Sequence, residues 1–283
     1  MYFALLASSA LYSVLFLFSK VFLRKNGSPL MPSLVFSAAF SAILAVYGFA
    51  IVGFRPELTP FAIILAGLYG ICQVACVLCG FLAMSRVSLL RLSVFMMLGG
   101  MAVPAAYGAI FRAERFSLWQ IVCFVLIAAS LVLTWEGKRE KKGTLPLLFA
   151  IFVSGGIIGL LSKLHGLSED GVDSFSFIAL FSAFTAIISV AIIVALVTIK
   201  KQPLKIRPDS YLLPAGFAFC FGMAMTLTLT AANAVPESHR YAVIAGGTVV
   251  FSAAISAIIG EKPRLRGIIA VLVAVCASVC MVL

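Results

Sequence analysis

Ten runs of about twenty mostly apolar residues, parted by short polar breaks, fill this 283-residue chain. A run of that length reaches across a hydrocarbon layer about 30 Å thick at a rise of about 1.5 Å per residue. Backbone N–H and C=O groups in hydrocarbon find no water, so each run is held to a helix that bonds to itself. The spans read 2–23, 31–53, 60–84, 89–111, 118–135, 145–167, 175–199, 211–232, 238–259 and 266–283. The breaks have local causes. Asn26-Gly27-Ser28-Pro29 and Gly53-Phe54-Arg55-Pro56 are turn clusters, and Lys138 to Gly143 and Lys200 to Asp209 are charged linkers. Charged residues are 11% of the chain, against about 25% in a soluble domain, and no stretch remains for a separate soluble unit.

The chain also echoes itself. Gly99, Gly100, Val103, Ala106, Glu114, Leu118 and Ile121 each meet an identical residue 147 positions later, among them Gly246, Gly247 and Glu261. Ser19-Lys20 recurs as Ser162-Lys163, at an offset of 143. The repeat unit is therefore five spans, residues 1–143 and 144–283. Five is odd, so the second copy enters the membrane from the opposite face. The expected fold is an all-α integral membrane protein: ten transmembrane helices in two five-helix inverted repeats around a central cavity.

Fifteen of the 21 Lys and Arg residues fall in connections after odd-numbered spans, and four after even-numbered ones. The positive-inside rule then puts the odd connections in the cytoplasm and both termini outside. The net charge of +11 is thus a matter of topology and anionic lipid, not of nucleic acid. Residues 1–21 lack the basic start and the cleavage site of a signal peptide and read as an uncleaved first helix. A multi-pass protein of the cell membrane, a bacterial inner membrane for preference, is expected. The seven cysteines all sit in apolar runs. Cys72, Cys76 and Cys79 share a helical face, but no His, Asp or Glu stands near them, so they read as small hydrophobes rather than metal ligands.

Certain motifs bear a family likeness. Ile259-Gly260-Glu261-Lys262-Pro263 followed by Gly267, the matching Arg112-Ala113-Glu114-Arg115-Phe116, and the paired Ser-Lys late in the first helix of each half resemble the drug/metabolite transporter superfamily, EamA type. The likeness covers the whole chain. It departs from the family pattern at Ala113, at Cys123, and at Leu11-Tyr12-Ser13, where an aromatic-Gly pair is common. Many members keep their termini in the cytoplasm, opposite to the orientation the loop charges give. The resemblance implies a small-metabolite carrier, often an exporter, with a cavity lined mainly by its first, third, fourth, sixth, eighth and ninth helices.

Candidate site residues follow from polarity within these helices. Lys20 and Lys163 either snorkel to the interface or serve opposite mouths of the cavity, drawing an anionic group or pairing with a partner that closes a gate. Glu237, His239 and Arg240 open the ninth helix after Pro236, as a solvated helix end or as a gate cluster with a proton-linked His. His165 is read in the same two ways. Arg86 and Arg91 flank the third connection; both suit topology, and Arg91 suits a cavity mouth as well. Tyr12, Tyr69, Gln73, Thr226, Thr230 and Asn233 are the polar groups on the presumed cavity helices. Thr in such a helix usually bonds its own backbone, whereas Gln73 and Asn233 are costlier to bury. The Gly-Gly pairs read as packing sites, Pro104 as a kink, and Glu114 and Glu261 as caps of the helices they precede.

The expected function is secondary transport of a small polar metabolite by alternating access. An amino acid or organic anion is favoured, because Lys rather than Glu stands in the presumed pathway. A multidrug or quaternary-amine carrier and a non-transporting receptor or scaffold are the alternatives. No P-loop pattern exists, so ATP is not the direct energy source. Two histidines, neither in mid-span, make a poor intramembrane enzyme. No cofactor, metal or nucleic acid is expected; the partners are a small-molecule substrate and membrane lipid. A complete inverted repeat needs no oligomer to close its cavity.

Overall fold

The structure is a computed structural model that describes residues 2–27, 29–111, 117–134, 142–201, 203, 206–231, 235, 237–261 and 265–280. Among them are ten α-helices: α1 Tyr2–Asn26, α2 Leu30–Ile51, α3 Pro60–Met84, α4 Leu89–Phe111, α5 Leu118–Leu133, α6 Thr144–Leu167, α7 Ser174–Thr198, α8 Leu212–Thr230, α9 Glu237–Ile258 and α10 Leu265–Cys280. A 3-10 turn, Pro208–Ser210, precedes α8. Seven of the helices are long and apolar enough to cross a membrane, which marks a multi-pass membrane protein. The apolar stretches Ile121–Leu133, Ala242–Ile258 and Leu265–Cys280 are shorter. The helix limits follow the hydropathy breaks because those breaks hold capping groups. Pro60 opens α3, and the hydroxyl of Thr59 accepts the Ala62 N–H at 3.1 Å. Asp173 caps α7 by accepting from the N–H groups of Phe175 (2.8 Å) and Ser176 (3.2 Å).

The most extensive helix contacts join the first half of the chain to the second: α2 to α7, α4 to α6, α1 to α8 and α9, α3 to α6 and α7, and α5 to α10. Contacts inside a half, such as α2 with α3, are slighter. The connections are tied in two groups. At one end, Lys25 of α1 meets Asp209 before α8 at 3.1 Å, and Asn26 donates to the Ser210 hydroxyl at 3.1 Å. Arg86 after α3 donates to the Lys142 carbonyl before α6 at 3.1 Å, at the same end. In a second group, Asp173 donates its N–H to Glu57 at 3.1 Å, and Thr59 donates to the Asp170 carbonyl at 2.7 Å.

Polarity is distributed the reverse of a soluble core. Phe3, Ile110, Leu118, Leu212 and Ile258 are exposed, while Ser8, Ser9, Ser13, Ser37, Ser130 and Ser189 are buried between helices. A hydrocarbon solvent removes the usual reason to hide apolar groups, so close approach and shared hydrogen bonds hold the helices together. The Ser13 hydroxyl donates to the Thr248 carbonyl at 2.9 Å, and Ser189 to Ser37 at 2.9 Å. Glycine faces bring backbones together where a methyl group would not fit. A Cβ on Gly99 would run into the Phe152 carbonyl of α6, and one on Gly247 would sit 2.6 Å from the Ser9 hydroxyl of α1. Gly99, Gly246 and Gly247 of the duplicated pairs are thus packing sites, whereas a Cβ on Gly100 would find its nearest atom 3.9 Å away. Glu261 corrects an expectation: among the described residues its carboxylate caps α4 rather than α10, which it precedes. Its Oε2 accepts the Leu89 N–H at 2.9 Å and the Ser256 hydroxyl at 2.7 Å.

Candidate functional site

A cavity of about 240 Å³ lies between the two halves. Helical periodicity decides what faces it. Tyr12, Leu15, Phe16 and Ser19 fall on one stripe of α1, and Tyr69, Gln73, Cys76 and Gly80 on one stripe of α3. From α4 come Leu92, Met96, Met97, Gly100 and Met101. Ile158, Gly159 and Ser162 of α6, Phe217, Phe221 and Met225 of α8, and Ile244 and Ala245 of α9 complete most of the wall. These six helices are those the family resemblance implies, with Phe36 of α2 in addition. Among the described residues no Asp, Glu, Lys, Arg or His lines the cavity.

Toward the end that holds Lys20, the cavity is floored by rings. Phe36 packs against Phe81 at 5.3 Å and Phe217 at 5.1 Å between centroids, and Phe22 backs Phe36 at 5.0 Å. Beyond them, next to the lining residue Ser19, the Lys20 ammonium pairs with Oε1 of Glu261. Both side chains are largely buried, 9% and 17% exposed. Glu261 therefore joins α1, the start of α4 and the end of α9 through one carboxylate. An anion at a helix N-terminus is favoured by the unpaired N–H groups there, so the carboxylate is held from two sides.

The other sequence candidates divide. Tyr12 and Tyr69 line the cavity; Tyr12 meets Phe221 edge-on at 6.0 Å, and Tyr69 stacks on Phe181 at 4.1 Å. Gln73 also lines it, 9% exposed. Thr226 lies outside the lining, where it bonds the Tyr47 hydroxyl at 2.7 Å and donates to the Gly222 carbonyl. Thr230 is exposed and donates to its own backbone at Leu227, as a lone Thr in a membrane helix usually does. Lys163 is half-buried and follows the lining residue Ser162. Arg91 is buried with its guanidinium 6.0 Å from the Phe95 ring centre, outside the cavity wall. His239 meets the Tyr2 hydroxyl at 3.5 Å, and Arg240 is half-buried with Nε unpaired among the described residues. His165 is buried and stacks on Phe177 at 4.0 Å. Asn233 and Glu114 lie outside the described residues, as does the side chain of Glu237.

Two parts of the site were missed. The methionine and phenylalanine walls carry no mark in the sequence, since a cavity-facing Met resembles a lipid-facing one. The Lys20–Glu261 pair left a trace: Lys20 and Glu261 both belong to the duplicated positions.

No family model matches the chain, and no curated protein matches it. Among solved structures 25 chains match. One, described only as "Crystal structure of protein", is 15% identical with a TM-score of 0.60, covering 98% of this chain and 98% of its own. At that identity the likeness speaks for the fold, an all-helical arrangement followed from end to end.

Proposed function

We propose that this chain is a secondary carrier that moves a small organic metabolite across a membrane by alternating access, with its two halves as inverted five-helix repeats of the EamA type. The observation that carries the reading is the cavity walled by helices from both halves and bounded at one end by the Lys20–Glu261 pair. The contacts have the symmetry an inverted repeat needs. Exchanging each helix for its counterpart five places on turns α1–α9 into α6–α4, α3–α6 into α8–α1 and α2–α8 into α7–α3, and all six pairs are in contact. One duplicated glycine pair obeys the same exchange: Gly100 faces Gly155 of α6 and its counterpart Gly247 faces Ser9 of α1.

In this reading the Lys20–Glu261 pair is a latch on the mouth at the odd-numbered connections, which the loop charges put in the cytoplasm. Opening that mouth moves the α9–α10 connection from α1 and breaks the pair. The Lys20 charge is matched within the protein, so the argument for an anionic solute loses half its basis.

The test is counterflow in proteoliposomes. Solutes that raise the melting temperature of the purified protein are loaded inside, and uptake of a labelled trace is followed. Saturable uptake that is accelerated by internal solute supports a carrier. Ligands that stabilise the protein but never exchange would refute it in favour of a receptor.

A further inference from the structure

One polar group in the cavity has no work among the described residues. Gln73 is nine-tenths buried on α3, its side chain lines the cavity, and it bonds to no other described residue. The amide opens onto the cavity, so its donor and acceptor are left for whatever fills that space. Ser19, by contrast, is already committed to the Leu15 carbonyl at 3.0 Å.

The rest of the wall narrows what the amide can meet. It has no formal charge among the described residues, and the ammonium of Lys20, beside the lining residue Ser19, is paired with Glu261. An ion entering such a space loses its hydration without a counter-charge, a penalty of several kcal/mol or more. Aromatic rings of Tyr12, Tyr69 and Phe221 and the thioethers of Met96 and Met97 offer flat, polarisable contacts instead. The volume of about 240 Å³ falls below the range of sites for drug-sized ligands. An amide presents one donor and one acceptor side by side, which matches a ring edge of the form N–H beside C=O.

We infer that the cavity takes an uncharged planar heteroaromatic solute with a lactam edge, held by a paired hydrogen bond to Gln73. Such a solute also needs a carrier, because an unpaired amide costs about 4–8 kcal/mol to bring into hydrocarbon. The inference rests on the reading of this cavity as the carried solute's site.

The test uses three matched probes on the purified full chain: uracil, 1,3-dimethyluracil, which lacks the N–H donors, and orotate, which adds a carboxylate. Melting shifts and calorimetry report binding. Uracil is expected to bind, the other two at least tenfold more weakly, and Gln73→Leu to lose at least tenfold for uracil while keeping its unliganded melting temperature. If Gln73→Leu does not fold, the comparison of probes on the unaltered chain decides. Orotate or dimethyluracil binding as well as uracil, unchanged uracil affinity in Gln73→Leu, or no uracil binding each overturns the inference. The two readings fail separately. Uracil binding without counterflow sinks the carrier and keeps the ligand class; counterflow of an anion without uracil binding does the reverse.

Discussion

Replacing Glu261 by Gln keeps the shape of the latch and removes its charge. The Lys20 ammonium then stays buried with no counter-charge, and the α4 N-terminus exchanges a carboxylate for a neutral acceptor. Breaking a buried pair by removing one partner costs about 3–5 kcal/mol. If the open state already lacks the pair, that cost falls on the latched state alone. Each ~1.4 kcal/mol is a factor of ten, so even 3 kcal/mol raises the open fraction on the order of 100-fold. Cys76 lines the cavity and serves as reporter once the other six cysteines are replaced. A membrane-impermeant thiol reagent applied from the Lys20 side should modify it about 100-fold faster in Glu261→Gln, provided the reaction is limited by opening. Ser256→Ala removes one donor to the carboxylate and should give a rise of about tenfold. Exchanging the partners, Lys20→Glu with Glu261→Lys, should restore only part of the closure, because a cation now faces the α4 N-terminus. If Glu261→Gln leaves both the labelling rate and the melting temperature unchanged, the pair carries no closing energy and the latch is wrong.

Gly99→Ala should lower thermal stability by the equivalent of about 1–3 kcal/mol, since its methyl meets the Phe152 carbonyl. The neighbouring Gly100→Ala, whose Cβ would find its nearest atom 3.9 Å away, should stay within about 0.5 kcal/mol of the parent in the same melt. Thr59→Ala should cost about 1 kcal/mol through the α3 cap, and Thr59→Ser should recover most of it by thermal unfolding. Asp209 is held below the ordinary carboxylate range by the hydrogen bond from Lys25, with the nearby Arg207 charge adding to it. A depressed pKa stabilises the fold above the unfolded value and is lost as pH falls through the folded one. The difference in melting temperature between the parent and Asp209→Asn should therefore persist through mild acid and close only below it.

Hydropathy made the helices legible because a hydrocarbon solvent leaves few other options for long apolar runs. Tyr12, Tyr69 and Gln73 could be placed for the same reason: a polar group in such a run needs either a partner or a cavity. Thr226 and Thr230 met the same criterion and lie elsewhere, because a hydroxyl can satisfy itself on its own helix. The latch was out of reach of local reasoning. Glu261 stands 241 positions from Lys20, and its position before α10 suggested a cap of the nearest helix, while packing delivers it to α4.

The way the halves interlock bears on how the chain is made. Helices α1 to α4 find their main neighbours among α6 to α9, and α5 finds its own in α10. The first half therefore lacks its partners until the second is synthesised. At about 5–20 residues per second, the stretch from the end of α5 to the end of α10 takes roughly 7–30 s to emerge. Throughout that interval Ser8, Ser9, Ser13 and Ser37 face lipid, water or an insertion factor in place of the second half. Biogenesis, rather than the finished fold, is where this chain is most open to misassembly, and a second half supplied as a separate polypeptide is the natural rescue.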